Sequence, residues 1–222
     1  MTRAGVNIRV IVLEVAATVR ELIGRPSVAE RWDLPSALEM MTIGELAAHL
    51  ARALTTTARY LDAPDPGSSD DLVTPARYYT AIDDLTSADG PDLGDKLHVS
   101  IRERARQGAG HGHAGVLESW DETMKLLGSR FPVEAADRGV AVFGGLMMSL
   151  DDYLVTRLVE LVVHADDLAV SLGVAPPPLP AEAHETVIGC LVDVALERHG
   201  PMAVIRAMTR TERDSLRALR VL

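Results

Sequence analysis

The 222-residue chain holds 47% hydrophobic and 24% charged residues, globular proportions that exclude an intrinsically disordered chain. A formal net charge of -10 disfavours a protein built around nucleic-acid phosphates, and a single cysteine, Cys190, excludes an internal disulfide and a thiolate metal cluster. Any metal must therefore be held by nitrogen and oxygen.

The N-terminal stretch places Glu14 inside what would have to be the apolar region of a leader peptide, so the expected compartment is the cytoplasm. Residues 8–24 read as a first helix, in which Ile8, Ile11, Leu13, Val15, Val19, Leu22 and Ile23 form a broad apolar face before Gly24 and Pro26 end it. A loop with Trp32 and Pro35 follows. Thr42 and Glu45 in MTIGELAAHL match a capping box, which starts a second helix at Ile43 and carries it to about Leu61. DAPDPGSSDDLVTP, residues 62–75, is a surface loop by its Pro, Gly, Ser and Asp content. A short helix over 76–87 and a charged one over 92–107 come next. GAGHGHAG, residues 108–115, is expected as a loop before a helix over 116–129 that contains Trp120 and Leu126.

RGVAVFGG, residues 138–145, is the one strand-like run, and a single strand makes no sheet, so an extended loop is expected there. The longest uncharged apolar run, residues 140–150, is too short to span a bilayer. Ser149 with Asp152 caps a helix that starts at Leu150 and ends at Gly173 ahead of PPPLP. Two more helices, 181–199 and 202–220, are divided by Gly200 and Pro201. The expected fold is all-α: a four-helix bundle over residues 1–175 with a short helical C-terminal extension over 176–222.

That extension carries six arginines from Arg198 onward against Glu212 and Asp214, a net of +4. Arg206, Arg210, Arg213, Arg217 and Arg220 recur every three or four residues, the spacing of one helical stripe. A solvated face accounts for it; a nucleic-acid contact or a ligand clamp is the sharper alternative.

The helix expected over 150–172 is unusual in its distribution of polarity. Its apolar residues cover an arc of roughly 220°, and Tyr153, Thr156, Arg157, Glu160, His164, Asp167 and Ser171 fill a narrow arc of roughly 100°. Such a helix is surrounded by protein on most sides, and the polar stripe either reaches solvent through a slot or lines an interior site. Asp166 falls among the apolar positions. Glu160 and His164 stand at i and i+4, one turn apart on one face, so both can reach a single ion. Asp167 is placed to accept the second ring proton of His164. A catalytic zinc takes three protein ligands, and His49, which shares a face with Leu46, Leu50 and Ala53, is the best third candidate. Glu45 is an alternative, although its capping position gives it another task.

The stretches MTIGELAAHLARAL and LVELVVHADDLAVSLG, with the intervening tryptophan region, resemble the DinB-like superfamily, specifically the mycothiol-dependent maleylpyruvate isomerase family. The resemblance spans residues 8–173 in layout and implies a divalent metal, usually zinc, held by His49, Glu160 and His164. It also implies mycothiol as a thiol cofactor and a small electrophilic substrate, with Asp167 and Leu168 matching the family's Asp-Leu. The founding isomerases carry a larger C-terminal domain, so the electrophile is not carried over. A metal-held cofactor thiolate would attack that electrophile, in an isomerisation or an S-transfer. Arg52, Arg77 and Arg102 are candidates to hold an acidic substrate, and Arg220 to reach back to the cofactor. Sparse lysine, only Lys96 and Lys125, fits a GC-rich actinobacterial genome.

Two other readings stand beside this one. A metal-dependent hydrolase on the same bundle would hold a water of lowered pKa in place of the thiol. A non-catalytic regulator or interaction module would use the basic tail. Homodimerisation stays open, and so does the metal among zinc, nickel and iron. GHGHAG formally matches a dinucleotide fingerprint but follows a charged helix instead of a strand, so His111 and His113 are read as loop residues. Cys190 in VIGCLVDVAL is read as structural, and His199 as a helix-end residue facing exposed carbonyls.

Overall fold

The computed structural model describes residues 7–66, 72–86, 96–142, 145–209 and 219–221. Helix α1, Ile8–Ile23, starts where Asn7 accepts the backbone N–H groups of Arg9 and Val10. Its Val12, Val15, Ala16 and Val19 are fully buried. After the short α2, Pro26–Glu30, helix α3 runs Ile43–Asp62 behind the capping box: Thr42 Oγ1 accepts from Glu45 N at 3.1 Å, and Glu45 Oε2 accepts from Thr42 N at 2.8 Å. Helices α4 (Pro75–Thr86), α5 (Lys96–Ala109) and α6 (Gly112–Arg130) follow. Helix α7, Leu150–Leu172, is capped by Ser149 and closed by Gly173, whose left-handed backbone (φ 68°) lets Val174 N reach Ala169 O at 3.0 Å. Helices α8 (Ala181–His199) and α9 (Pro201–Thr209) complete the described chain.

Four of these helices make the bundle. α1 packs on α7, α7 on α3, α3 on α6 and α6 back on α1. Val12, Val19, Leu46, Leu54, Trp120, Leu127, Leu154, Leu158 and Leu161 fill the space between them. Each such side chain removed from water contributes on the order of 2 kcal/mol, which is what holds helices of modest intrinsic propensity in place. The remaining helices flank this square: α5 lies on α3 and α6, α4 on α7 and α8, α8 on α7 and α1, and α9 on α8. Helix α7 thus has neighbours on most sides, as its wide apolar arc requires. Among the described residues no helix is long and apolar enough to cross a membrane.

Three expectations are corrected. Residues 139–141 (β1) do pair, with Met147–Ser149 (β2), in an antiparallel two-stranded hairpin in which Val140 faces Met148. LMMS is too short to show alternation, so its strand character arises from that partner. The glycine-rich segment forms a loop only at Gly110 and His111, because α6 begins at Gly112, where a positive φ of 70° admits the turn. Its His113 is a packing residue, with Nε2 2.8 Å from the carbonyl of Ile23 and the ring edge-on to Trp32 at 5.7 Å. Helix α2 occupies part of the stretch expected as a loop after Pro26. Of the expected helix over 202–220, α9 accounts for Pro201–Thr209, and Arg210, Arg213 and Arg217 lie outside the described residues, as do residues 67–71 of the surface loop.

Two arginines fasten the ends of the bundle. Arg9 pairs with Asp151 at 2.7 Å and donates to the carbonyls of Phe131, Glu134 and Ala135. Buried Arg138 donates to the carbonyl of Ala63 at 2.8 Å, just past the end of α3. At the other end of α3 the indole of Trp32 lies against Gly44 so closely that a Cβ there would overlap the ring. Gly44→Ala is expected to lower unfolding free energy by roughly 1–3 kcal/mol, since Trp32 is tethered through its Nε1 to Ala109 O and cannot move freely. Urea denaturation beside the parent chain checks this.

Candidate metal centre

The α3–α7 seam brings His49, Glu160 and His164 together. Leu46, Leu50 and Ala53 are buried on α3, and the same face carries His49 across to α7. From α7, Glu160 and His164 project one turn apart, and each imidazole Nε2 lies 3.4 Å from the same carboxylate oxygen, Oε2 of Glu160. The three side chains are largely withdrawn from water, with exposures of 15% for His49, 25% for Glu160 and 17% for His164. Their ligand atoms all lie within 4.8 Å of one another, and among the described residues this is the one such group of three. The rings of His49 and His164 meet edge to face, 4.8 Å apart.

Electrostatics follow from this packing. Burial, with the neighbouring His164 and Arg52 charges, pulls the His49 imidazole below its ordinary value despite Glu160. For His164 the burial penalty is overcome by Asp167 and Glu160, which push it up to about 9. Glu160 is held well below the usual carboxylate range, because the two imidazoles and Arg157 outweigh the cost of its burial. The ion-free cluster is therefore a neutral His49, a carboxylate at Glu160 and an imidazolium at His164. Asp167 Oδ2 accepts from His164 Nδ1 at 2.9 Å and fixes the ring with Nε2 toward Glu160. His49 Nδ1 is buried with no hydrogen-bond partner among the described residues.

Residues 12–169 match the family described as the mycothiol maleylpyruvate isomerase N-terminal domain. The chain belongs to that family. No curated protein and no solved structure matches it. Membership in the mycothiol maleylpyruvate isomerase family makes this a mycothiol-related, mostly helical domain, and the three convergent side chains offer it a candidate metal site. The residues fit such an ion. Bonds of 2.0–2.1 Å in a tetrahedral site put ligand atoms roughly 3.3 Å apart, close to the 3.4 Å that separates each imidazole nitrogen from Glu160. That spacing is also too long for a good hydrogen bond, so the cluster is held together by the helices that carry it more than by its own contacts.

The remaining candidates lie at varied distances from this cluster. Arg52, half-buried one turn beyond His49 on α3, is close enough to influence it. Arg77 is exposed on α4 and donates to Thr80 Oγ1 at 3.2 Å, which in turn donates to Glu197 on α8. Arg102 is half-buried on α5 and Arg220 is exposed near the C-terminus. Glu45, buried in its capping box, meets Arg106 at 3.3 Å and belongs to the helix end. Asp166, which the helical arc placed among apolar positions, is exposed beside Pro176, Pro177 and His184. Cys190 is buried, and burial pushes its thiol up to about 12, which leaves it unreactive.

Further side chains gather beside the site, of which sequence reasoning missed Tyr78 and Tyr79. Tyr153 is fully buried beneath Arg157, whose guanidinium carbon lies 4.9 Å from the ring centre. Tyr79 on α4 donates to the carbonyl of Thr156 at 3.3 Å, and Tyr78 is buried next to it. Arg157 and Tyr153 were visible in the polar arc of α7, three and seven residues before Glu160. Nothing local marks Tyr78 and Tyr79, which α4 brings across the fold.

The orienting contact to His164 gives a direct test. Asp167→Asn is expected to weaken divalent-metal binding by roughly 10–100-fold with the fold retained, as for other carboxylates that orient a ligating imidazole. Competition against a chromophoric chelator, with circular dichroism as control, measures it.

Proposed function

We propose that this chain is a zinc-type thiol enzyme of the mycothiol maleylpyruvate isomerase family, acting on a small electrophile by isomerisation or S-transfer. The observation that carries the reading is the convergence of His49 Nε2, Glu160 Oε2 and His164 Nε2 within 4.8 Å in a chain matched to that family over 158 residues, 12 to 169. His49, Glu160 and His164 would hold the ion, and a bound divalent cation supplies the positive charge that keeps a cofactor thiol deprotonated. Glu160 contributes the negative charge of the protein set. Asp167 keeps the His164 ring turned so that Nε2, not Nδ1, faces the seam. With Cys190 buried and unreactive, the nucleophilic sulfur comes from the cofactor, for which mycothiol is the proposed molecule.

In this reading residues 1–175 form the metal-binding bundle, and 176–222 a helical extension that covers α4 and α7 through α8. The cytoplasm is the proposed compartment. Arg77, Arg102 and Arg220 are proposed as further cations for substrate or cofactor.

Cobalt substitution tests the thiol role. Adding N-acetylcysteine to the Co2+-loaded chain is expected to produce a sulfur-to-metal charge-transfer band in the near ultraviolet, and N-acetylserine none. A cobalt-loaded chain whose spectrum ignores the thiol would overturn the thiol reading and favour a hydrolase, in which water takes that place.

A further inference from the structure

Some arginines of this fold meet a carboxylate and others do not. Arg9, Arg20, Arg130 and Arg138 each pair with a carboxylate, at 2.7 Å to Asp151, 2.8 Å to Asp121, 3.3 Å to Asp62 and 3.2 Å to Asp65. Among the described residues no carboxylate lies within ion-pair distance of Arg52, Arg59, Arg104 or Arg157, although the chain has 32 acidic residues and a net charge of -10. These four gather in one region. The guanidiniums of Arg104 on α5, Arg59 on α3 and Arg157 on α7 all act on Arg52, which stands one turn from His49.

Arg157 is the most informative of them. It is half-buried, one turn before Glu160 on the face that carries the cluster. Its Nε donates to Thr156 Oγ1 at 3.1 Å, and its guanidinium lies over the Tyr153 ring. The hydrogen bond to Thr156 and the contact with the Tyr153 ring hold the guanidinium, and both terminal nitrogens are without a protein acceptor among the described residues. The Glu160 carboxylate acts on Arg157 only from beyond ion-pair distance, and a cation partly withdrawn from water with no acceptor on its terminal nitrogens leaves that fork for a ligand. The planar fork matches a carboxylate, which it can bind through two parallel hydrogen bonds. Half-buried Tyr60, edge to face with Tyr153 at 5.2 Å, supplies an apolar surface for the carbon skeleton attached to it.

We infer that Arg157, assisted by Arg52, binds a carboxylate of the electrophilic substrate beside the His49, Glu160, His164 cluster. As a substrate subsite the inference rests on the proposed thiol chemistry, but the binding itself does not require the metal. Arg157 is thus the residue that selects anionic over neutral electrophiles.

Titration calorimetry of the full chain, stripped of metal with a chelator, against succinate and against its uncharged dimethyl ester tests the inference. Succinate is expected to bind and the ester not, with binding weakened at least tenfold by Arg157→Gln, several-fold by Arg52→Gln and partly restored in Arg157→Lys. Rising salt should weaken the parent interaction. Equal binding of succinate to the parent chain and to Arg157→Gln, or equal binding of acid and ester, would overturn it. Should Arg157→Gln fail to fold, Arg52→Gln, a half-exposed position on α3, carries the same comparison. Because metal is absent throughout, a failure here is distinct from a failure of the metal-thiol reading, which the cobalt experiment detects.

Discussion

Zinc binding at pH 7 is expected to release about one proton per ion, and the affinity to rise about tenfold per pH unit until it levels near pH 9. The sign follows from the three protonation states. His49, depressed by burial, is already neutral at pH 7, and Glu160 is already ionised, so neither has a proton to lose. His164, raised to about 9 by Asp167 and Glu160 against its burial, is an imidazolium, and that proton competes with the metal for Nε2. Below the raised pKa each unit of pH removes a factor of ten from the competitor, so affinity grows about 100-fold between pH 7 and pH 9. Calorimetry in two buffers of different protonation enthalpy reads the proton directly. An affinity independent of pH over that range would contradict the assigned states.

Glu160→Ala is expected to lower zinc affinity by more than about 100-fold, beyond the loss for Asp167→Asn, because it removes a proposed ligand instead of a residue that orients one. The chain should still fold. Glu160 is a partly exposed helix residue, alanine is the better helix former, and the apolar faces of α7 on α1 and α3 are untouched. The variant also removes the acceptor shared by both imidazoles, so the His164 pKa should fall toward its ordinary value even though Asp167 remains. Chelator competition and two-dimensional NMR of the histidine rings measure the two effects together. Unchanged affinity with an intact fold would remove Glu160 from the centre.

What could be read in the sequence depended on whether the signal was local. The capping box at Thr42 and Glu45, the Ser149 cap and the left-handed Gly173 each lie within one turn of the helix end they set, and the ends of α3 and α7 were placed within a residue by them. The i, i+4 spacing of Glu160 and His164 is likewise local. His49 lies on another helix, where its shared face with Leu46, Leu50 and Ala53 makes it a candidate, and the resemblance to a family joins it to the pair. The β1–β2 hairpin was missed because three-residue strands show no periodicity and exist through each other. The tyrosines of α4 and the unpaired state of Arg157 were invisible for a related reason, since which carboxylates an arginine fails to meet is a property of the folded surface.

The polar stripe of α7 is also explained by what surrounds it. With α1, α3, α4 and α8 packed on one helix, a wide apolar arc is unavoidable, and the narrow polar arc is the part turned into the α3–α7 seam. The costly groups gathered there, Glu160, His164, Arg157 and Asp167, compensate one another's charge.

X-ray absorption on the purified, zinc-reconstituted chain tests the central claim most directly. The account predicts one equivalent of zinc bound by two imidazoles and a carboxylate at 2.0–2.2 Å, with a sulfur scatterer near 2.3 Å appearing only after a cofactor thiol is added. A chain that retains no zinc, or a first shell unaltered in the His49→Ala and His164→Ala variants, would contradict it.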